Sequence, residues 1–381
     1  MSKETNTNRK NKKKTLKARV IVAASLLTGA LICIGLLLIS RTMPELTTNV
    51  YTKNIFKYIS LPVKWLFNLF PFSVGEIILI CIAAGTIIGL IVSIIMCFTR
   101  RNGKPMARWG LNVISIASLA IILFVLFGGF NYSSLTFAER SGYDVKESTV
   151  YELMDLCLYL NDRAAECRNR LTQDAGGAVT TELTAYDMFY MAKDGYDAIE
   201  DRFPEFKGFY TTPKPALTSE AMCYLQISGI YPYISPEAVV NIKTPVSELP
   251  HTICHEMAHQ RGIAREDEAN YVGYLAAVNN PDLLFQYSGY SQALSYCLSA
   301  LYRASSTAYD QIRPRINVGI LRDMSIAGNF WRSFEQKNEL PAKISTAVNN
   351  TYLQIQNIPD GTRSYGRMVD LLLAEYRLSH E

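Results

Sequence analysis

Pro250-His251-Thr252-Ile253-Cys254-His255-Glu256-Met257-Ala258-His259-Gln260 is the stretch from which the rest of the chain is best read. Residues four apart on a helix lie one above the other on the same face. If this stretch is helical, His255 and His259 present two imidazoles to one cation. Neutral imidazole is a good zinc ligand. Glu256 then projects beside that cation, where its carboxylate can take a proton from a water on the metal. Three of the four histidines in the chain fall in this segment, at successive i, i+4 positions. The fourth, His380, lies at the frayed C-terminal end.

A catalytic zinc site usually takes three protein ligands. The text that follows, Arg261-Gly262-Ile263-Ala264-Arg265-Glu266-Asp267-Glu268-Ala269-Asn270-Tyr271, offers two candidates for the third. Gly262 is a good helix stop. A second helix from about Arg265 to Val278 would swing its first turn back toward His259. Glu266 and Glu268 lie about 200° apart on that helix, so only one of them can face the metal. Asn270 stands four residues after Glu266 and could brace a ligand. His251 is one turn before His255. A third ligand in a straight row rarely converges on a tetrahedral ion, so His251 is read as a support or a substrate contact. Cys254 points away from the histidine stripe and is read as packing.

Outward from the motif, the apolar residues concentrate before residue 131. Val20 to Ser40, Ile77 to Phe98 and Leu111 to Phe130 each reach the length of about 20 apolar residues that a membrane-crossing helix needs. None of the three holds a charged residue. The first is too long for a signal-peptide core and is read as an anchor. Residues 1–19 form a basic tail, and the loop between the second and third spans carries Arg100, Arg101, Lys104 and Arg108 with no acid. The positive-inside rule places both in the cytoplasm. The expectation is a multi-pass protein of the cell membrane, its N-terminus cytoplasmic and residues 131–381 extracytoplasmic. Segment 41–76 is crowded with Trp65, Phe67, Phe70 and Phe72 and interrupted by Pro62 and Pro71. It reads as a helix lying in the membrane interface.

The net charge is +4, much of it in the basic tail. No basic, aromatic-interleaved patch follows, which argues against a nucleic-acid partner. The eight cysteines show no disulfide spacing, although a Cys157–Cys167 bridge is conceivable. Residues 131–381 read as one domain, with helices at about 146–171, 184–202, 282–308, 314–336, 340–356 and 364–378. Strand signals are few, the best being Met222 to Ile227 and Ala238 to Ile242. The fold class is therefore a membrane-anchored, mainly α (α+β) chain: three N-terminal transmembrane helices, then a mostly helical domain with a small sheet.

His255-Glu256-Met257-Ala258-His259 followed by Glu266-Asp267-Glu268-Ala269-Asn270 resembles the zincin metallopeptidases of the gluzincin type. That resemblance implies one zinc ion (Zn2+) held by His255, His259 and Glu266, with Glu268 as the alternative third ligand. It also implies a zincin-like domain in which a strand before the metal helix binds an extended peptide, and Ala238 to Ile242 is placed to be that edge. The gap after His259 is shorter than in those enzymes. More of the chain is similar to a family of bacterial membrane proteins described as a domain of unknown function, DUF3810. The residues that carry this are the three spans, Pro71-Phe72-Ser73-Val74-Gly75-Glu76, the site text His255 to Tyr274, and Ser364-Tyr365-Gly366-Arg367-Met368-Val369-Asp370-Leu371-Leu372.

The function these readings imply is zinc-dependent hydrolysis by a peptidase, acting on peptide or protein substrates at the outer face of a bacterial membrane. Glu256 is its catalytic base. Tyr365, Arg367 and Tyr352 are candidate donors to a developing oxyanion. The alternatives are a non-enzymatic membrane sensor and a structural protein whose ectodomain a metal stabilises.

Overall fold

The computed structural model describes residues 2–343, 345, 347 and 366–380. Two compact units divide it. The first comprises residues 1–56 and 74–134, the second 57–73 and 135–381.

The first unit holds helices α1 (Ser2–Ser40), α2 (Val74–Arg100) and α3 (Lys104–Phe124). Leu16–Ser40, Val74–Arg100 and Lys104–Tyr132 are long and apolar enough to cross a membrane. They enclose the three spans expected from sequence. Small residues let these helices approach: the Gly29 position faces Ile122, and Gly89 lies against the Trp109 ring. The Trp109 indole donates to the carbonyl of Thr86 at 3.0 Å, which satisfies a polar group that hydrocarbon would leave stranded.

The second unit is mostly helical. Its main helices are α4 (Val150–Arg168), α5 (Ala185–Ile199), α6 (Leu249–Gln260), α7 (Glu266–Val278), α8 (Leu283–Ala304), α9 (Val318–Lys337) and α10 (Arg367–His380). Local sequence sets their starts. Thr149 with Glu152 and Thr184 with Asp187 form reciprocal capping boxes, and Asp282 and Asn317 cap the helices that follow them. Leu153, Leu156 and Leu160 bury one face of α4 against α8, in a core that also takes Tyr271, Phe285 and Tyr287. The expected helix 282–308 is cut at Ser305, whose extended backbone and hydroxyl begin a new short helix, Ser306–Ile312. The expected helix 340–356 lies largely outside the described residues.

A three-stranded sheet of two-residue strands completes the unit. Its strands are β1 (Lys214–Pro215), β2 (Gly229–Ile230) and β3 (Val239–Val240), in the order β1-β3-β2. β3 runs parallel to β1 and antiparallel to β2. Two expectations are corrected here. Met222 to Ile227 is not a strand: Ser219–Tyr224 is helical, and Gln226, with a φ of 58°, turns the chain out of it. Ala238 to Ile242 does contain a strand, but β3 is central and hydrogen-bonded on both sides, so it cannot accept a peptide as an added strand. The antiparallel rim of the sheet is β2.

The segment expected at the membrane interface is helical over Phe56–Asn68, with Pro62 inside the helix rather than ending it. From Lys57 onward it groups with the second unit. The buried Lys214 ammonium donates at 2.6 Å both to the Glu237 carboxylate and to the carbonyl of Phe67. The equally buried Lys64 ammonium donates to the carbonyl of Gln260, at the end of α6. A charge-assisted bond to a helix's last carbonyls favours that terminus. All eight cysteines are free thiols.

Candidate metal centre

Helix α6 starts with Pro250 in its first turn and stops where Gly262 takes a φ of 86°. That left-handed residue reverses the chain, and α7 begins at Glu266. The close pairing of α6 and α7 needs Gly273, where a Cβ would lie 3.0 Å from the backbone nitrogen and Cα of His255. Behind α6, the Tyr196 hydroxyl of α5 donates to the carbonyl of Cys254 at 2.6 Å. The buried Arg261 guanidinium at the end of α6 lies between the Tyr196 and Tyr210 rings, 3.6 and 3.9 Å from their centroids. The helix bearing the motif is thus fixed on several sides.

On this frame the Nε2 atoms of His255 and His259 stand 3.1 Å apart. A Glu266 carboxylate oxygen lies 3.3 Å from the first and 3.7 Å from the second. The hairpin brings Glu266 to the imidazoles and turns Glu268 inward to pair with Arg265 at 3.1 Å. A tetrahedral ion with bonds of about 2.0–2.1 Å holds its ligand atoms about 3.3 Å from one another. The three observed separations fit that requirement. The Nδ1–H of His259 donates to the carbonyl of Ile263 at 2.7 Å, which leaves Nε2 with the lone pair a cation needs.

Glu256 is 3% exposed, and its Oε2 has no hydrogen-bond partner among the described residues. It lies against β2: a Cβ on Gly229 would fall 2.4 Å from its Oε1. Burial raises the Glu256 carboxyl to about 7, against the opposing pull of His255 and His259. Burial would lower His259, yet the adjacent Glu266 carboxylate dominates and raises it to about 9. Burial would raise Glu266, but the charges and hydrogen bonds of His259 and His255 hold it well below the usual carboxylate range. Glu256, His259 and Glu266 thus have proton affinities pushed apart within one small site, a pattern that acid–base and metal chemistry use.

The supporting residues sort differently. His251 is buried, and its Nε2–H donates to the backbone carbonyl of Asn270 at 3.1 Å. Burial, together with the charge of His255, lowers it to about 4, so it is neutral. Asn270 therefore braces His251 through its main chain. Arg367 opens α10 within electrostatic reach of Glu139. Tyr365 and Tyr352 lie outside the described residues. Two aromatic residues not foreseen from sequence stand at the site. The Tyr231 ring is 6.0 Å from that of His259. Burial, then the charges of Glu266 and Glu256, raise the Tyr233 hydroxyl, which keeps its proton available for donation. Their signal was a position just after a strand rim, which only the strand pairing reveals.

No curated protein and no solved structure matches the chain. A family model matches residues 51–373, a span that includes the helical hairpin and its carboxylates. The chain belongs to the family described as "Protein of unknown function (DUF3810)".

Proposed function

We propose that this protein is a zinc-dependent hydrolase, a peptidase acting on peptide or protein substrates at the outer face of the membrane. The observation that carries the reading is the convergence of His255, His259 and Glu266 with a buried carboxylate, Glu256, beside them. A purely structural metal site has no need of that fourth group. Bound zinc supplies Lewis acidity that polarises a carbonyl and acidifies water.

The chain's own residues do the rest. Glu256 takes the proton of the attacking water and returns it to the departing amine nitrogen. Burial, which raises this carboxyl, helps it take up the proton it must carry. The hydroxyls of Tyr231 and Tyr233 would donate to the oxyanion that forms on the former carbonyl oxygen. The rim strand β2 offers main-chain hydrogen bonds to an extended peptide, and Gly229 leaves room there for Glu256. Orientation follows from the basic tail and the basic loop between the second and third spans, which favour the cytoplasmic side.

Glu256→Gln tests the reading, because the amide keeps the shape and loses the base. The purified variant should bind zinc as the wild type does and hydrolyse peptides about 10²–10⁴-fold more slowly. Equal turnover by both proteins would remove Glu256 from the chemistry and end the proposal.

A further inference from the structure

A cavity of about 400 Å³ opens beside His255, on the side of α6 that faces its N-terminus. Among the described residues Glu248, the residue before α6, is the only acid in its wall, and none of those lining it is a lysine or arginine. Amides and hydroxyls fill most of the remainder, including Gln226, Ser228 and Gln292. Trp331 holds the carboxylate in place by donating from its indole to Glu248 Oε2 at 2.9 Å. Tyr296, 39% exposed, stands at the rim.

We infer that this cavity selects substrates with a lysine or arginine side chain next to the scissile bond, and that Glu248 is the residue that determines this specificity. The inference rests on the peptidase reading of the adjacent centre. Three features support it. A carboxylate with no lysine or arginine beside it among the described lining residues attracts an ammonium or guanidinium and repels an acidic side chain. The Trp331 and Tyr296 rings give a long aliphatic stem something to lie on, and a guanidinium something to stack against. Burial raises the Glu248 carboxyl above its usual range, a strain that a bound cation relieves. His255 belongs both to the cavity and to the metal centre, so a side chain seated here leaves its backbone beside Glu256.

Two arms test this on the zinc-loaded full-length protein in detergent. In the first, the Glu256→Gln protein is titrated with labelled peptides that differ only in one Arg, Lys, Leu or Glu, each with a free and an acetylated N-terminus. The Arg and Lys peptides should bind at least about tenfold more tightly than the Leu peptide, a difference of about 1.4 kcal/mol, whether or not the N-terminus is acetylated. Adding Glu248→Gln, or separately Tyr296→Lys at the exposed rim, should bring that ratio close to one. Selectivity that is absent, follows the free N-terminus, or survives both substitutions overturns the proposal. In the second arm, turnover of the same panel by the otherwise unaltered protein should show the preference mainly in KM. Failure of every peptide to turn over, while the binding selectivity persists, would sink the peptidase reading and leave the cation-binding cavity standing.

Discussion

At His259 two influences oppose each other. Burial disfavours the imidazolium, while the Glu266 carboxylate 3.7 Å away favours it and prevails, raising the His259 ring to about 9. In the metal-free protein the ring is therefore charged at neutral pH, and a cation that binds there must displace a proton. The apparent zinc affinity should rise by up to about tenfold per pH unit until about pH 9, with proton release to match. Competition with a chelator from pH 6 to 9, alongside calorimetry in buffers of different ionisation heat, measures both. Affinity that stays flat across this range would take His259 out of the ligand set. The same shift fixes a sign for stability. A histidine whose folded pKa lies above its unfolded value of 6.5 contributes fully below that pH and loses its contribution as pH rises through about 9. The metal-free protein should thus become less stable over that window, and saturating zinc should offset the loss. His255, Glu256 and His259 were legible in sequence because they share one short periodic stretch. Tyr231 and Tyr233 were not, because only the folding of a distant segment against α6 brings them near.

Between elements, the decisive relation is the approach of α7 to α6. Gly262 and the first-turn acids of α7 announced a hairpin in the sequence, and α7 spans Glu266–Val278. How tightly the hairpin closes was not announced. It depends on Gly273, whose missing side chain lets the backbone of α7 reach that of His255. Gly273→Ala puts a methyl group 3.0 Å from backbone atoms that belong to a fixed helix, so the two helices must part by a few tenths of an ångström. Glu266 rides on the moving helix and His255 and His259 on the stationary one, which alters the 3.3 and 3.7 Å separations together. The expected result is zinc affinity lower by roughly 10–100-fold, as when support around a metal ligand is lost. Unchanged affinity with a lowered melting temperature would mean that the contact serves packing alone. The sheet was harder to read for a related reason. Two-residue strands carry almost no periodic signal, and whether a strand is central or at the rim depends on pairing between segments far apart in sequence. Short apolar runs such as Met222 to Ile227 fit a strand or a helix turn equally, and here the helical turn prevails.

Across the whole molecule, the distribution of apolar helices and basic residues bears on sidedness. The three apolar helices were plain in the sequence because lipid demands long uncharged runs, and Leu16–Ser40, Val74–Arg100 and Lys104–Tyr132 meet that demand. The compact grouping of residues 57–73 with residues 135–381 was not plain, since an aromatic-rich helix reads alike whether it rests on lipid or on protein. The bonds from Lys64 and Lys214 tie it to that unit, and both depend on partners that only the fold supplies. If all three helices cross, the basic tail and residues 135–381 lie on opposite faces of the membrane. The basic tail and the Arg100–Arg108 loop favour the cytoplasm, where anionic lipid and the resistance of Lys and Arg to translocation retain them. On the proposed reading the candidate metal centre faces outward. Cysteine substitution in intact cells checks this: Ala175→Cys lies in an exposed turn after α4, and Asn102→Cys in the exposed loop between α2 and α3. A membrane-impermeant maleimide should label the first in whole cells and the second only after permeabilisation. The native thiols of residues 135–381 give little background, because all five are buried. The reverse pattern would invert the protein, and the proposed peptidase would then have to find its substrates in the cytoplasm.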